Sequence, residues 1–222
     1  IGAEIDNGTG VAGTAGNVTI MPLRIGSGPT STRYAGAFTY AADNGAHIAN
    51  TSFSVDSRVG DPVYRAALRY MYDTGVLHFN SAGNDDELNP LRQNMHESLF
   101  VASTNSVDGR SGFTNYGIGI DISAPGSSVL STLPDGNYGK KSGTSMAPPT
   151  AAGVAALIWS ANPTWTRDQV AAQLLGTADN IDAMNPGYEG LLGSGRVNSN
   201  RALNEALAPP EIETVAELPA SG

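Results

Sequence analysis

Gly143-Thr144-Ser145-Met146-Ala147 stands at the mouth of an apolar run that continues to Ser160. A Ser in such a place faces backbone N–H groups that the first helical turn leaves unpaired, at the positive end of the helix dipole. Negative charge developing on a carbonyl oxygen is stabilised there, so these residue types suit acyl transfer. A hydroxyl alone is a weak nucleophile and needs a base. Taken alone, the five residues are equally well explained by an ordinary N-cap Ser. A second stretch, Ser81-Ala82-Gly83-Asn84, follows an apolar segment of strand length. A carboxamide at the carboxyl end of a parallel strand can donate into a crevice, although a turn-forming Gly-Asn is the commoner meaning of that pair. The third stretch, Asn115–Gly126 (NYGIGIDISAPG), ends in an Ala-Pro-Gly that reads locally as a turn.

The elements that must position these residues alternate along the chain. Val18–Ile25, His47–Phe53, Val76–Asn80 and Leu99–Thr104 have the short apolar character of buried strands. Tyr34–Asn44 and Pro62–Thr74 show helical spacing, and each is followed by a glycine, Gly45 or Gly75, suited to a helix C-terminus. In the second of these, Val63, Ala66, Ala67, Tyr70 and Met71 define the predicted apolar face. Strands separated by such helices imply right-handed crossovers and a parallel sheet with helices on its faces. Asn105–Gly139 is Gly- and Ser-rich. The run after Ser145 is apolar on every side, hence a buried helix, with Pro148 and Pro149 tolerable only in its first turn. Thr166–Leu175 and Asn198–Leu207 read as two further helices.

Bulk properties exclude several classes of function. With 222 residues, 40% of them hydrophobic, the chain can bury the core of one domain. A formal charge of -9 repels phosphate backbones and argues against nucleic acid as a partner. The absence of cysteine rules out disulfides, thiolate zinc sites and a Cys nucleophile. No apolar run reaches the roughly 20 residues of a membrane span.

In combination, these motifs resemble the subtilisin-like (subtilase) family of serine peptidases. Gly143 to Pro149 match the family pattern Gly-Thr-Ser-Met-Ala-x-Pro, and Ala82-Gly83-Asn84 match its Ala-Gly-Asn. Ser123-Ala-Pro-Gly126 and Gly193-Ser-Gly-Arg-Val-Asn198 follow in family order, within a likeness spanning Ile1 to Leu207. The resemblance implies an α/β, three-layer α/β/α domain over residues 1–207 with a mainly parallel sheet. It implies Ser145 as the acylated nucleophile of a serine endopeptidase, with Asn84 and the Ser145 backbone N–H as the oxyanion hole. A peptide or protein substrate would lie as an extended strand between Ser52-Phe53-Ser54 and Gly26-Ser27-Gly28, close to Ser81, Ala82 and Gly83. Family members usually have Gly where Ser54 stands, so a hydroxymethyl there crowds the first side-chain pocket.

The family orders its triad Asp, His, Ser, and its His motif closely precedes a loop like Asp6–Gly13. The resemblance therefore implies an N-terminally truncated domain, whose triad Asp and His lie upstream. On that expectation the isolated chain is inactive and needs the missing N-terminal segment of the same domain as its partner. A homologue that lost both residues and only binds extended peptides is the alternative. His47, His78 and His96 lack the Gly-Thr neighbours and helix-start setting of the family's base. An α/β-hydrolase, whose nucleophile elbow Gly143–Ala147 approaches, needs its His after the Ser, and no His follows Ser145.

In many family members the loop matching Ile5–Val11 wraps a calcium ion. The resemblance implies Asn7 as side-chain ligand with Ile5, Thr9 and Val11 as carbonyl donors, a partial set that also reads as a plain turn. The chemistry itself needs no cofactor. Secretion or display at the cell surface is implied by the family. The tail Ala208–Gly222 is acidic, contains proline and reads as a linker. Its last five residues, Leu218-Pro-Ala-Ser-Gly222, faintly resemble a cell-wall sorting signal.

Overall fold

A computed structural model describes residues 1–207, and the tail Ala208–Gly222 lies outside the described residues. At its centre is a parallel sheet of four strands, β1 (Ile48–Thr51), β2 (Leu77–Ser81), β3 (Leu99–Thr104) and β4 (Ile122–Pro125), side by side in chain order. Parallel neighbours require a crossover, and α2 (Pro62–Asp73) supplies the one from β1 to β2. Helix α1 (Ser31–Asp43) precedes β1 and packs beside α2. Alternation along β3 assigns its side chains to two layers. Phe100 and Ala102 join Tyr34, Phe38, Tyr64, Leu68 and Met71 under α1 and α2. Val101 faces the opposite way, with Phe79, Ile122, Ile158 and Leu174, under α3 (Ala147–Ala161), α4 (Arg167–Gly176) and α5 (Ser199–Asn204). Both faces of the sheet are thus covered, giving the three-layer α/β/α arrangement.

Local chemistry explains the element boundaries. The Asp61 carboxylate caps α2, accepting from Val63 N at 3.0 Å and Tyr64 N at 3.1 Å, with Pro62 in the first turn. Thr166 and Gln169 close a reciprocal capping box on α4. Pro148 and Pro149 lie in the first turn of α3, where absent N–H groups leave no acceptor unsatisfied. The Gly193–Asn198 motif closes the edge of β4. Gly195 donates no side chain to the crowding there: a Cβ would stand 2.0 Å from the Asp179 carbonyl oxygen. Arg196 and Asn198 then both bond the Asp179 carboxylate, at 2.7 Å and 2.9 Å.

Several expectations are corrected. Val18–Ile25 forms no strand; it runs irregularly, leaving Ile20, Met21 and Leu23 exposed. Apolar composition does not suffice, because a strand exists only with a hydrogen-bonded neighbour, and none of the described strands pairs with it. The buried face of α2 is rotated from the expected one. Tyr64, Ala67, Leu68 and Met71 are buried, whereas Val63 and Tyr70 are 48% and 43% exposed. Ala124 and Pro125 extend β4 rather than merely turning, and Pro125 is tolerated because β4 is an edge strand. The Gly- and Ser-rich stretch also contains a two-stranded antiparallel ribbon, β5 (Val129–Thr132) and β6 (Tyr138–Lys141). Helix α5 is shorter than expected and begins at Ser199, with Asn198 as its cap.

Candidate active site

Strands β1 and β2 end side by side, and the segments leaving their carboxyl ends form the site. Thr144, Ser145 and Met146 make a single 3₁₀ turn just ahead of α3. Gly143 enters it at φ 150, and its N–H donates to the Gly126 carbonyl at 2.9 Å. Gly126 must be glycine for this approach, since a Cβ would lie 2.2 Å from Ser103 Oγ.

Asn84 is anchored to this turn. Its Oδ1 accepts from Thr144 N at 2.7 Å and from Thr144 Oγ1 at 3.0 Å. Thr144 Oγ1 in turn accepts from Gly83 N at 3.2 Å. With its oxygen fixed in this way, the Asn84 carboxamide keeps its NH₂ for another acceptor. The Ser145 N–H belongs to the start of the turn, where no intrahelical acceptor exists. Residues 84 and 145, 61 positions apart in sequence, therefore share one helix start.

The Ser145 hydroxyl donates to the Ser52 carbonyl at 3.1 Å. That bond sets the Ser52–Ser54 segment against Ser145. Phe53 rests on Tyr34 of α1, their ring centroids 5.1 Å apart. The Gly26–Gly28 loop is exposed, with positive φ at both glycines. Just beyond it, the Pro29 carbonyl and Ser31 Oγ accept from Arg58 at 3.1 Å and 3.0 Å. On the other side, Ser81 ends β2, and Ala82 N bonds the Val101 carbonyl at 3.1 Å.

None of the three histidines hydrogen-bonds Ser145 among the described residues. His78 is buried inside β2, its Nε2 2.8 Å from Thr51 Oγ1 and its Nδ1 2.7 Å from Ser98 Oγ. Burial pushes it down to about 3, so it is neutral at physiological pH. His47 lies just outside β1 and packs edge-on against Trp159. His96 is exposed in the turn before β3.

Two groups of residues escaped the sequence reading. Asn115 brackets Asn84: its N–H donates to the Gly83 carbonyl at 3.0 Å, and its Oδ1 accepts from Asp85 N and Glu87 N at 2.9 and 3.0 Å. No local pattern marks it, because its partners lie about 30 residues earlier. Arg92, with Asp56, fills the space below Ser54 and Ser81; as a charged residue it carries no sequence signal of burial.

In the Ile5–Val11 loop, Asn7 Oδ1 accepts from Thr9 N at 3.0 Å. Among the described residues there is no cluster of three acidic or imidazole ligands. Calcium takes six to eight oxygens, so Asn7 Oδ1 with the carbonyls of Ile5, Thr9 and Val11 would need further ligands to hold one.

A profile of the subtilase family matches residues 1–200. The chain belongs to the subtilase family. This subtilase is 37% identical over 207 residues to alkaline elastase YaB of Bacillus sp., covering 90% of this chain and 52% of that protein. It is 36% identical over 206 residues to thermitase of Thermoactinomyces vulgaris, covering 90% and 71%. A protease from Pseudoalteromonas arctica superimposes with a TM-score of 0.80 at 30% identity, over 91% of this chain and 67% of that one. The chain thus spans about half the length of the alkaline elastase it matches. No helix among the described residues is long and apolar enough to cross a membrane.

Proposed function

We propose that this subtilase chain carries the nucleophile and oxyanion hole of a secreted or cell-surface serine endopeptidase, and that its general base is a His supplied with an Asp by a preceding segment of the same domain. The anchoring of Asn84 on Thr144, next to Ser145, is the observation that carries the reading. In this mechanism Ser145 Oγ adds to the scissile carbonyl carbon while its proton passes to the base. The carbonyl oxygen becomes an oxyanion held by Asn84 Nδ2 and the Ser145 N–H. The C–N bond then breaks, the amine leaves with the proton, and water hydrolyses the acyl-enzyme. Acyl transfer of this kind draws on no cofactor; a calcium at Ile5–Val11 would serve structure alone and needs further ligands.

The substrate is an extended peptide held between Ser52–Ser54 and Gly26–Gly28. Without the base, Ser145 retains only the catalysis that oxyanion contacts and binding give, about 10³- to 10⁴-fold over water in subtilisin. The isolated chain is therefore inactive. A fluorophosphonate probe tests this directly. Labelling of Ser145 only when the preceding segment of the gene is supplied, and none in Ser145→Ala, is the expected result. Strong labelling of the isolated chain refutes its inactivity. Failure to label with the segment present favours a homologue that binds peptides without cleaving them.

A further inference from the structure

Between the Ser52–Ser54 segment and the end of β2 lies a side chain the motifs do not include. Arg92 leaves a short 3₁₀ turn, Leu91–Asn94, and its side chain is only 2% exposed. Its Nη1 donates to the Ser81 carbonyl at 2.9 Å, on one side of the crevice. Its Nη2 donates to Ser54 Oγ at 3.1 Å, on the other. One planar guanidinium therefore bridges the Ser52–Ser54 segment and the end of β2. It also lies against the underside of Gly83: a Cβ on that glycine would stand 3.2 Å from Arg92 Cζ.

The cation is fully matched in place. Asp56 Oδ1 accepts from Arg92 Nε at 3.0 Å and from its backbone N at 3.2 Å, and Asp56 Oδ2 pairs with Nη2. Ser54 Oγ adds a bond to Asp56 Oδ2 at 3.1 Å. Displacing Arg92 would strand a carboxylate and a carbonyl, so this bridge does not yield to an incoming side chain. Nor does it attract a charged one, since the guanidinium and carboxylate neutralise each other.

We propose that Arg92, clamped by Asp56 and Ser54, is a specificity-determining residue that closes the first side-chain pocket, so that cleavage follows small, uncharged residues such as Ala, Ser and Gly. The proposal rests on the peptidase reading above for which pocket this is. Large aromatic or aliphatic side chains meet the guanidinium plane, and Lys or Glu meets a neutralised ion pair that offers no counter-charge.

The test uses the complete enzyme, with the preceding segment present, and tetrapeptide p-nitroanilides differing only in the last residue. Ala should exceed Phe, Leu, Lys and Glu in kcat/KM by at least about tenfold. The triple variant Ser54→Gly, Asp56→Asn, Arg92→Met removes the clamp without leaving an orphan charge, and should raise kcat/KM for Phe by at least about tenfold relative to Ala. Phe, Leu, Lys or Glu cleaved as well as Ala by the unmodified enzyme overturns the proposal, whether or not the variant folds. If no peptide is cleaved, the peptidase reading has failed instead. Calorimetric binding of the matching tetrapeptide carboxylates then decides the pocket: weaker binding of Phe than Ala supports it, and equal or tighter binding of Phe overturns it.

Discussion

Acid should loosen this domain through one buried imidazole beside the Ser52–Ser54 segment. His78 is 1% exposed, and hydroxyls of Thr51 and Ser98 occupy both ring nitrogens. Burial lowers its folded pKa from 6.5 to about 3. The unfolded chain binds a proton at about pH 6.5 and the folded chain does not until far lower. Stability from this group is therefore complete above pH 6.5 and lost progressively as pH falls toward 3. Each unit of pH in that window costs about 1.4 kcal/mol, so going from pH 7 to pH 5 removes about 2 kcal/mol. His78→Gln has no such proton to take up. Urea unfolding followed by circular dichroism at both pH values, on variant and parent, isolates the effect, because all other titrations cancel in the difference. The parent should lose about 2 kcal/mol more than the variant between pH 7 and pH 5. Identical pH dependence in the two proteins would refute the argument. Thr51 immediately precedes Ser52, whose carbonyl accepts from the Ser145 hydroxyl, so the same protonation should disturb the contact that holds Ser145.

Three other changes have defined outcomes. Asn84→Asp keeps an oxygen for Thr144 N but replaces the free NH₂ with an anionic oxygen. It should lower kcat of the complete enzyme by at least about 10²-fold with a small change in KM, a scale measured for loss of the oxyanion Asn of subtilisin rather than worked from these distances. Gly83→Ala puts a Cβ 2.3 Å from Asn115 Nδ2 at φ 109 and should lower unfolding free energy by about 2 kcal/mol or more in urea titration. Asp121, whose carboxylate accepts from Phe100 N at 2.6 Å, is pushed up to about 6 by burial. Its folded pKa exceeds the unfolded 3.8, so the carboxyl stabilises the fold at low pH, and that contribution disappears as pH rises from 4 to 6. Asp121→Asn should raise the melting temperature at pH 7.5 and leave it nearly unchanged at pH 4.

What could be read from the sequence divides along a physical line. Elements whose signal is local were found close to their true places: β3 in full, α2 from its Pro62 start to Gly75, and α4 from its Thr166 cap. The apolar face of α2 was misassigned because hydropathy ranks Val63 and Tyr70 above the geometry that decides. Tyr70 instead points its hydroxyl to Asp43 at 2.7 Å, while Tyr64 packs edge-on against Tyr34 and Phe38. The β5–β6 ribbon has no buried face to leave a hydrophobic trace; Leu130 is 55% exposed. The turns that carry Ser145 and Asn84 were legible because backbone constraints hold them to few residue types: a glycine at φ 150 before one, a glycine at φ 109 before the other. Arg92 and Asn115 were not, because their meaning depends on groups brought up by other elements.

That division bears on how the site works. In the proposed mechanism positions 143–145 and 82–84 supply groups aimed at a reacting carbonyl, and backbone geometry determines those groups. Asn115, Arg92 and Asp56 supply rigidity and shape, and a side chain of another type can take over such a role when its partners change with it. Asn115 shows how the second set sustains the first. Its Oδ1 gathers two N–H groups just after Asn84, and its own N–H takes the Gly83 carbonyl just before it, so the carboxamide is held from both flanks as well as from Thr144. An oxyanion donor is effective only if it needs no reorganisation when charge appears. If Asn84 is the donor proposed above, the hydrogen bonds around it matter through the freedom they remove, and an Asn at position 84 lacking these flanking ties would bind the same oxygen with far less effect.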